Sequence, residues 1–291
     1  MLIDEYDSPI LKSRGLFYDD AISFFRVFYG KVLKSNEYLK YGILSGVAQI
    51  AKESIFSGLN NLNINNVFTN DYEYFGFNEE DILFLVDKTN QNIDLDVLKL
   101  CYGNYNFGNN SIYNPWSVLN FLENNQEYSW YWLNTSENNL IEEAINYSNK
   151  DENVLNMIYK LVSSSSYRSF VNESVSFKDI NSGIEELISL LIAAGYLSKS
   201  KKYEDGSFEI IIPNNEIKYV FKKEINQRYF KEIDNSYKFN LNDALKTGNI
   251  NVIEDAINNY ILKAFSYYDM NNEKNYQFLV LTICALTFNN N

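Results

Sequence analysis

The sequence contains no histidine, and its 291 residues include only two cysteines and three prolines. Because histidine is missing, Ser-His and Cys-His nucleophile pairs, histidine general bases and histidine metal ligands are all excluded. Cys101 and Cys284 lie far apart in the sequence and cannot form a multi-cysteine metal site or a disulfide framework. We interpret both as reduced, buried thiols.

Basic residues are outnumbered, and long hydrophobic runs are missing. The chain has 25 Lys and Arg against 38 Asp and Glu, a net charge of −13. A non-specific nucleic-acid surface needs clustered basic residues, so we expect no nucleic-acid partner for this acidic chain alone. No signal peptide is recognisable, and the apolar stretch Tyr276–Phe288 is shorter than the ~20 residues that span a bilayer. We expect a cytoplasmic protein without a membrane partner.

What the sequence does contain is enough apolar surface for folded cores. Its residues are 46% hydrophobic and 16% aromatic, which is not the composition of a disordered chain. The length allows two domains or more.

The segment Met1–Ile10 is an apolar run that ends in acidic residues. Leu2 and Ile3 precede Asp4 and Glu5, and Asp7 follows closely. Such a pattern is typical of a buried parallel strand that brings carboxylates to a nucleotide site. A second interpretation is a solvated acidic cluster that caps the following helix. The pattern alone leaves both open.

The next segments predict a parallel sheet. Leu16–Lys34 has the three- and four-residue apolar spacing of an amphipathic helix, and Tyr38–Ser45 is typical of a short buried strand. Strand, helix and strand form a βαβ unit, whose strands are parallel and whose ligands bind at the carboxyl ends of the strands. We therefore expect Asp4, Glu5 and Ser45 at one edge of the sheet.

Residues 47–135 combine short helices with aromatic segments. Asn78 and Asn114-Pro115 have the features of helix starts. The aromatic segments can form either a stacking platform for bases or a packed core, and we favour the core. They are Tyr72–Phe77, Tyr102–Phe107 and Tyr113–Trp116.

Residues 136–234 resemble a winged-helix module, because helices precede a predicted β-hairpin. The expected elements are a helix over Asn153–Val162, a strand over Val175–Ile180, a helix over Gly183–Ala194 capped by Gly195, strands over Tyr196–Tyr203 and Ser207–Ile212 joined around Glu204–Gly206, and a helix from Glu216 to Phe230 capped by Pro213-Asn214.

The candidate recognition helix of this module argues against DNA binding. Gly183–Ala194 carries Glu185 and Glu186 and no basic residue. Lys199, Lys201 and Lys202 on the hairpin are the one basic cluster there. Because phosphate contacts dominate affinity for DNA, we favour a structural role for the module.

Motifs along the whole chain resemble the AAA-ATPase-like family. They are Leu2–Ile10, Val47–Leu62, Tyr105–Gly108, Ile112–Ser117 and Tyr131–Ser136, in this order and with this spacing. The family combines a P-loop ATPase domain with a PD-(D/E)XK nuclease-like domain. The resemblance runs from residue 1 to about residue 290.

The resemblance implies a fold and a site. The implied fold is α/β: a partial P-loop NTPase sheet over residues 1–135, the winged-helix-like α+β module over 136–234, and a C-terminal helical fragment over 235–291 that begins the nuclease-like domain. Asp4 at the end of the Walker B strand is implied to bind Mg²⁺, Glu5 to polarise the attacking water, and Ser45 to sense the γ-phosphate of ATP.

The sequence also departs from the family. It has no Gly-Lys-Ser phosphate loop before the acidic strand, and its Gly30-Lys31 pair falls inside a helical pattern. Cys101–Tyr105 replaces a Trp-Tyr-Asn-Gly-Tyr signature, and Phe265–Phe288 corresponds to the first helix of the nuclease-like domain alone. We therefore expect a fragment truncated at both ends.

Two functional hypotheses remain. The first is an ATPase fragment that is inactive alone and whose expected partner is a separately encoded phosphate-loop half. The second is a non-catalytic scaffold for protein interactions. Mg²⁺ and ATP are the cofactors expected for a complete relative.

Overall fold

A computed structural model describes most of the chain, which divides into two compact units. Unit 1 comprises residues 1–88, 104–113 and 168–209, and unit 2 comprises residues 89–103, 114–167 and 210–291. The three-domain division at residues 135 and 234 stays a prediction. The residues described are 1–14, 16–34, 36–47, 55–56, 59, 61–68, 75–108, 110–132, 139–148, 151–163, 166–173, 175, 182–229, 243–255 and 258.

Helices and short strands alternate along the described residues, as expected of a mixed α/β chain. In chain order they are β1 (Leu2–Ile3), α1 (Ser8–Lys12), α2 (Tyr18–Leu33), β2 (Ile43–Leu44), α3 (Glu79–Thr89), α4 (Leu95–Tyr102), β3 (Tyr105–Phe107), β4 (Asn110–Ile112), α5 (Pro115–Glu123), α6 (Asn139–Ser148), α7 (Glu152–Ser163), β5 (Tyr167–Ser169), α8 (Ile184–Ala193), β6 (Ser198–Lys202), β7 (Phe208–Ile211) and α9 (Asn215–Tyr229).

The N-terminal part of unit 1 contains the predicted strand, helix and strand, but the prediction that the strands are buried is wrong, because Leu2 is 79% and Ile43 60% exposed. β1 pairs with β2 in parallel, with Leu2 opposite Ile43 and Ile3 opposite Leu44. The second strand is much shorter than the predicted Tyr38–Ser45. The Asn36 side chain donates to the carbonyl of Val32 and accepts from the Tyr38 N–H, and these local bonds compete with sheet pairing.

Helix α2 covers one side of this small sheet. Its inward positions are buried and join an aromatic and aliphatic core that also contacts Ile3 and Leu44. Gly30 and Lys31 lie within α2, which confirms that this pair is not a phosphate loop. The buried members of the core are Tyr6, Ile10, Ile22, Tyr29, Leu33, Ile55, Phe56 and Leu59.

Other parts of unit 1 follow local sequence signals. Asn78 and Asp81 exchange side chain to backbone hydrogen bonds of 2.9 Å at the start of α3, which confirms the predicted helix start. β3 and β4 form an antiparallel pair. The described glycines Gly195 and Gly206 have φ of 79° and 86°, as expected for the end of α8 and for the hairpin turn between β6 and β7.

A separate three-stranded sheet has the order β5-β7-β6. The predicted helix and hairpin therefore exist, whereas the winged-helix arrangement stays a prediction. Apart from Val175, the predicted strand Val175–Ile180 lies outside the described residues.

Unit 2 is a group of helices in which α9 contacts α4, α6 and α7, and α6 packs on α7. Asn114 caps α5 by accepting from the N–H groups of Trp116 and Ser117, and Asn214 caps α9 by accepting from the Ile217 N–H. Both predicted helix starts are confirmed. No helix among the described residues is long and apolar enough to cross a bilayer.

The C-terminal block is described in part. Residues 243–247 and 250–255 are helical, and Gly248 between them has φ of 69°, as expected from the break predicted at Thr247–Asn249. Cys284 and the predictions for Asp269–Asn275, Phe265–Phe288 and Tyr276–Phe288 lie outside the described residues.

The expectation of an aromatic core holds for some residues and is wrong for Phe75, which is 47% exposed, and for Trp116. Tyr102 and Tyr113 are buried, and so is the free thiol of Cys101, whose pKa is raised mainly by burial. Trp116, by contrast, is 52% exposed. It lies in the first turn of α5, whose buried residues are Ser117, Val118 and Phe121, so its ring points away from the core.

Glu216 is a buried carboxylate that connects three parts of unit 2. Its oxygens accept from the Ser117 hydroxyl at 2.7 Å and from the Trp132 N–H at 2.8 Å. Burial raises the pKa of Glu216, and hydrogen bonds from Trp132, Ser117 and the Tyr131 backbone counteract part of that effect. The carboxylate therefore joins α9, α5 and the segment after α5.

Ser117→Ala tests this connection. The change removes a donor from a buried carboxylate, so we expect the free energy of unfolding to fall by about 1.5–3 kcal/mol in urea denaturation. Ser163→Ala is the matched control, because the Ser163 hydroxyl donates to the neutral carbonyl of Tyr159 within α7. We expect a loss of at most about 0.5 kcal/mol there. Equal losses in the two variants would contradict the role of Glu216.

Glu216→Gln tests how the free energy of unfolding depends on pH. A raised pKa means that the folded state holds the Glu216 proton to higher pH than the unfolded state, whose value is near the ordinary 4.5. The contribution of Glu216 to stability is therefore full below that value and is lost as pH rises through the folded pKa. In urea titrations at a series of pH values, Glu216→Gln should remove this fall. Glu123→Gln, which changes an exposed carboxylate at the end of α5, should keep it.

Candidate functional site

The candidate site lies where β1 and β2 end. Because the strands are parallel, their carboxyl ends meet at one edge, and the pairing continues past them. The Ser45 N–H donates to the carbonyl of Ile3 at 2.9 Å, and the Tyr6 N–H donates to the carbonyl of Ser45 at 3.0 Å. These bonds place Asp4 and Ser45 side by side.

Asp4 and Ser45 are in direct contact. The Ser45 hydroxyl donates to Oδ1 of Asp4, and the same oxygen accepts from the Glu5 N–H at 3.0 Å. Both residues are exposed to solvent. The structure therefore brings together two of the three site residues predicted from the sequence.

Glu5, the third predicted residue, marks a sharp turn. It has φ of 50°, in the left-handed region that non-glycine residues adopt at a cost of about 1–2 kcal/mol. The Ser8 N–H donates to its carbonyl at 3.0 Å and closes the turn into α1. The Glu5 residue is exposed at the same edge, directly after Asp4.

Asp7, the third acidic residue of this region, has a role that the sequence pattern does not indicate. It precedes α1, but its side chain makes no capping bond, so the capping interpretation is wrong for this carboxylate. The Asp7 residue is 1% exposed, and Oδ2 accepts from the Val47 N–H at 2.9 Å. Asp7 thus holds the backbone that leaves β2 against the turn that follows β1.

Gly46 permits this close approach. A Cβ at Gly46 would lie 2.6 Å from Cε1 of Tyr6 and 2.7 Å from Oδ1 of Asp7, distances that real contacts do not show. Because Tyr6 and Asp7 are both buried, neither has room to move away. A glycine directly after a predicted strand is a signal for a close backbone approach, and it was available in the sequence.

Aromatic side chains of the core lie beneath the edge. The Tyr29 hydroxyl donates to the carbonyl of Tyr6 at 3.3 Å, and Phe56 packs against the Tyr6 ring at 5.4 Å between centroids. Burial, and secondly the charge of Asp7, raise the pKa of Tyr29. Tyr29 therefore stays neutral and holds the Tyr6 backbone in place.

The donor atoms at the edge suit a magnesium ion. Mg²⁺ prefers oxygen ligands, and in nucleotide sites it takes one or two carboxylates together with phosphate oxygens. Asp4 offers a carboxylate and Ser45 a hydroxyl. In the part of the chain that the structure describes, no three His, Cys, Asp or Glu residues lie close enough to hold a metal ion. The edge thus fits a metal that arrives with phosphates better than a metal held by protein alone.

The lysine cluster of the hairpin is a second candidate surface, and it is partly used in packing. Lys199 is 9% exposed, and its Nζ lies 4.6 Å from the ring centre of Phe68 and 5.2 Å from that of Phe208. Its pKa is lowered, mainly by burial. Lys201 and Lys202 remain exposed. The packing of Lys199 is consistent with the structural role that we favoured for the module, which stays a prediction.

One relative shares part of this sequence. An uncharacterized protein in the vnfD 5′ region of Azotobacter chroococcum mcd 1 is 31% identical over 137 residues. These residues are 46% of this chain and 26% of the relative, so the chain spans about a quarter of that protein's length. No solved structure matches the chain.

A family model also matches, at the end of the chain that carries the candidate site. Residues 1–56 match the AAA-ATPase-like family, which is described as a predicted AAA-ATPase. The match includes β1, α1, α2 and β2, and therefore Asp4, Glu5 and Ser45. This part of the chain is thus similar to AAA-ATPase-like proteins, which supports the family resemblance.

Proposed function

We propose that Asp4, Glu5 and Ser45 form the acidic part of a site for Mg²⁺-dependent ATP hydrolysis. The observation that carries the proposal is the hydrogen bond between Ser45 and Asp4 across the parallel pair β1 and β2. It joins the carboxyl ends of two neighbouring strands, where parallel sheets bind their ligands. The match of residues 1–56 to the family of predicted AAA-ATPases supports the same assignment.

Each residue has a distinct role in this proposal. Asp4 binds the Mg²⁺ ion, directly or through water, with its exposed carboxylate. The metal neutralises charge that develops on the phosphates. Glu5, at the turn beside Asp4, accepts a hydrogen bond from the attacking water and orients it. Ser45 donates its hydroxyl either to Asp4, as in the structure, or to the γ-phosphate.

The proposal requires a phosphate-binding loop from another polypeptide segment. The sequence has no Gly-Lys-Ser motif, and Gly30-Lys31 lies within α2. In phosphoryl transfer, most catalysis comes from backbone N–H groups and a lysine that position and neutralise the phosphates. We propose that this chain does not hydrolyse ATP alone and that a separately encoded phosphate-loop half completes it. The nuclease-like domain belongs to this proposal.

A second candidate is a non-catalytic scaffold for protein interactions. The observation in its favour is that Asp4 Oδ1 already accepts two hydrogen bonds, from Ser45 and from the Glu5 N–H. These bonds satisfy that carboxylate oxygen without a metal ion. In this case the edge is a structural turn, and nucleotide has no effect on the protein.

Thermal unfolding with increasing MgATP distinguishes the two candidates. A ligand that binds the folded state raises the melting temperature as its concentration exceeds Kd. We expect the melting temperature to rise at millimolar MgATP, and the rise to be lost in Asp4→Asn and reduced in Ser45→Ala. Glu5→Gln should keep it, because Glu5 acts on water rather than on the nucleotide. No variant should release phosphate above background.

Glu37→Gln is the matched control, because Glu37 is an exposed carboxylate between α2 and β2. An equal response to MgATP in Asp4→Asn and Glu37→Gln would overturn the site and favour the scaffold. Turnover by the wild-type chain that is lost in Glu5→Gln would support the site but overturn the need for a separate phosphate loop.

A further inference from the structure

Helix α2 has a second apolar face, opposite the one that packs into the core. Ala21, Ile22, Tyr29 and Leu33 are buried on the inner side. On the outer side, Phe24 is 64%, Val27 56% and Phe28 41% exposed, and Phe17 just before the helix is 57% exposed. Large apolar side chains that are exposed side by side on one helix face are typical of an interaction surface.

The exposed rings form an ordered surface. Phe24 and Phe28 are parallel, with ring centres 6.3 Å apart and an angle of 7° between their planes. Phe28 contacts the buried Tyr29 ring at 5.4 Å, so the outer rings are held by the core. Rigid, contiguous aromatic side chains are the residues that dominate binding energy at protein interfaces.

Two charged residues lie at the ends of the same face. The positions Asp20, Phe24, Val27, Phe28 and Lys31 follow one another at spacings of three, four and one residue, which places them on one stripe of the helix. Asp20 and Lys31 are both exposed. The stripe is therefore acidic at its beginning, aromatic in its middle and basic at its end.

This order of charges is complementary to itself when two copies run antiparallel. Asp20 and Lys31 are separated by about 16 Å along the helix, and the midpoint between them lies within Phe24–Val27. An antiparallel copy brings each Asp20 to the partner's Lys31 and each Phe24 to the partner's Val27. A two-fold interface uses the same patch on both copies, and this patch meets that condition.

We propose that the outer face of α2 is the interface of a homodimer, in which α2 packs antiparallel against α2 of a second copy. The near-antiparallel crossing that this needs is a common class of helix packing. A partner of one charge sign would match only one end of the stripe. A second copy matches both ends and buries the aromatic residues between them.

Sedimentation of the purified full chain tests the aromatic part of the interface. We expect a dimer at about 50 µM, with Kd in the micromolar range. Phe24→Ser/Phe28→Ser should be monomeric, with the circular dichroism of the wild type because both rings are on the outer face. Phe84→Ser is the matched control: Phe84 is a 60% exposed phenylalanine on α3, and its loss should leave the dimer intact.

Charge exchange tests the antiparallel register and leaves both rings in place. Asp20→Lys and Lys31→Asp should each raise Kd about tenfold, because each change turns two attractive contacts of the dimer into repulsive ones. The double variant Asp20→Lys/Lys31→Asp should return Kd to within about twofold of the wild type.

The same double variant distinguishes a role of the two charges in the interface from a role in stabilising helix α2 itself. An acid in the first turn and a base in the last turn also favour the dipole of α2. If that were their one effect, the double variant would melt lowest and would not recover association. A monomeric wild type at about 50 µM, a dimer that survives loss of both rings, or a double variant no tighter than the single ones would overturn the proposal.

Discussion

The buried carboxylate of Asp7 is the contact on which the candidate site depends. It accepts from the Val47 N–H and so fastens the end of β2 to the turn after β1. The strands themselves contribute two residues each, too few to fix their register alone. Gly46 lets the two segments approach, and the Tyr29 hydroxyl holds the Tyr6 carbonyl from below. The contact between Asp4 and Ser45 at the surface follows from these buried ones.

Unit 2 also contains a buried carboxylate that joins distant segments. Glu216, like Asp7, is a buried carboxylate that accepts hydrogen bonds from backbone N–H groups of a distant segment. Neutral donors compensate less of the desolvation cost than a buried cation would, which is why the pKa of Glu216 remains raised. Hydrogen bonds from N–H groups and a hydroxyl form in few geometries. Both carboxylates therefore specify one arrangement of the segments that they join.

Local signals were predictable from the sequence, and burial was not. The caps at Asn78 and Asn114 and the left-handed Gly195 and Gly206 use interactions within a few residues, which sequence spacing reveals. The exposed edge with Asp4 and Ser45 also followed from the order of strand, helix and strand. The burial of Asp7 depends instead on backbone 40 residues away, and the exposure of Trp116 depends on which face of α5 meets its neighbours. No local pattern carries that information.

Because the edge is exposed to solvent, repulsion between its carboxylates and a phosphate is weak, and what the proposed ATP site lacks is attraction for the phosphates. In surroundings as polar as water, the repulsion between a phosphate charge and the carboxylate of Asp4 or Glu5 is about 1 kcal/mol at 4 Å. Mg²⁺ bound to the nucleotide can offset this repulsion. A phosphate loop contributes several charge-assisted hydrogen bonds of about 1.5–3 kcal/mol each. The missing attraction therefore outweighs the repulsion. Tight nucleotide binding therefore requires donors for the phosphates, and removing the carboxylates does not supply them.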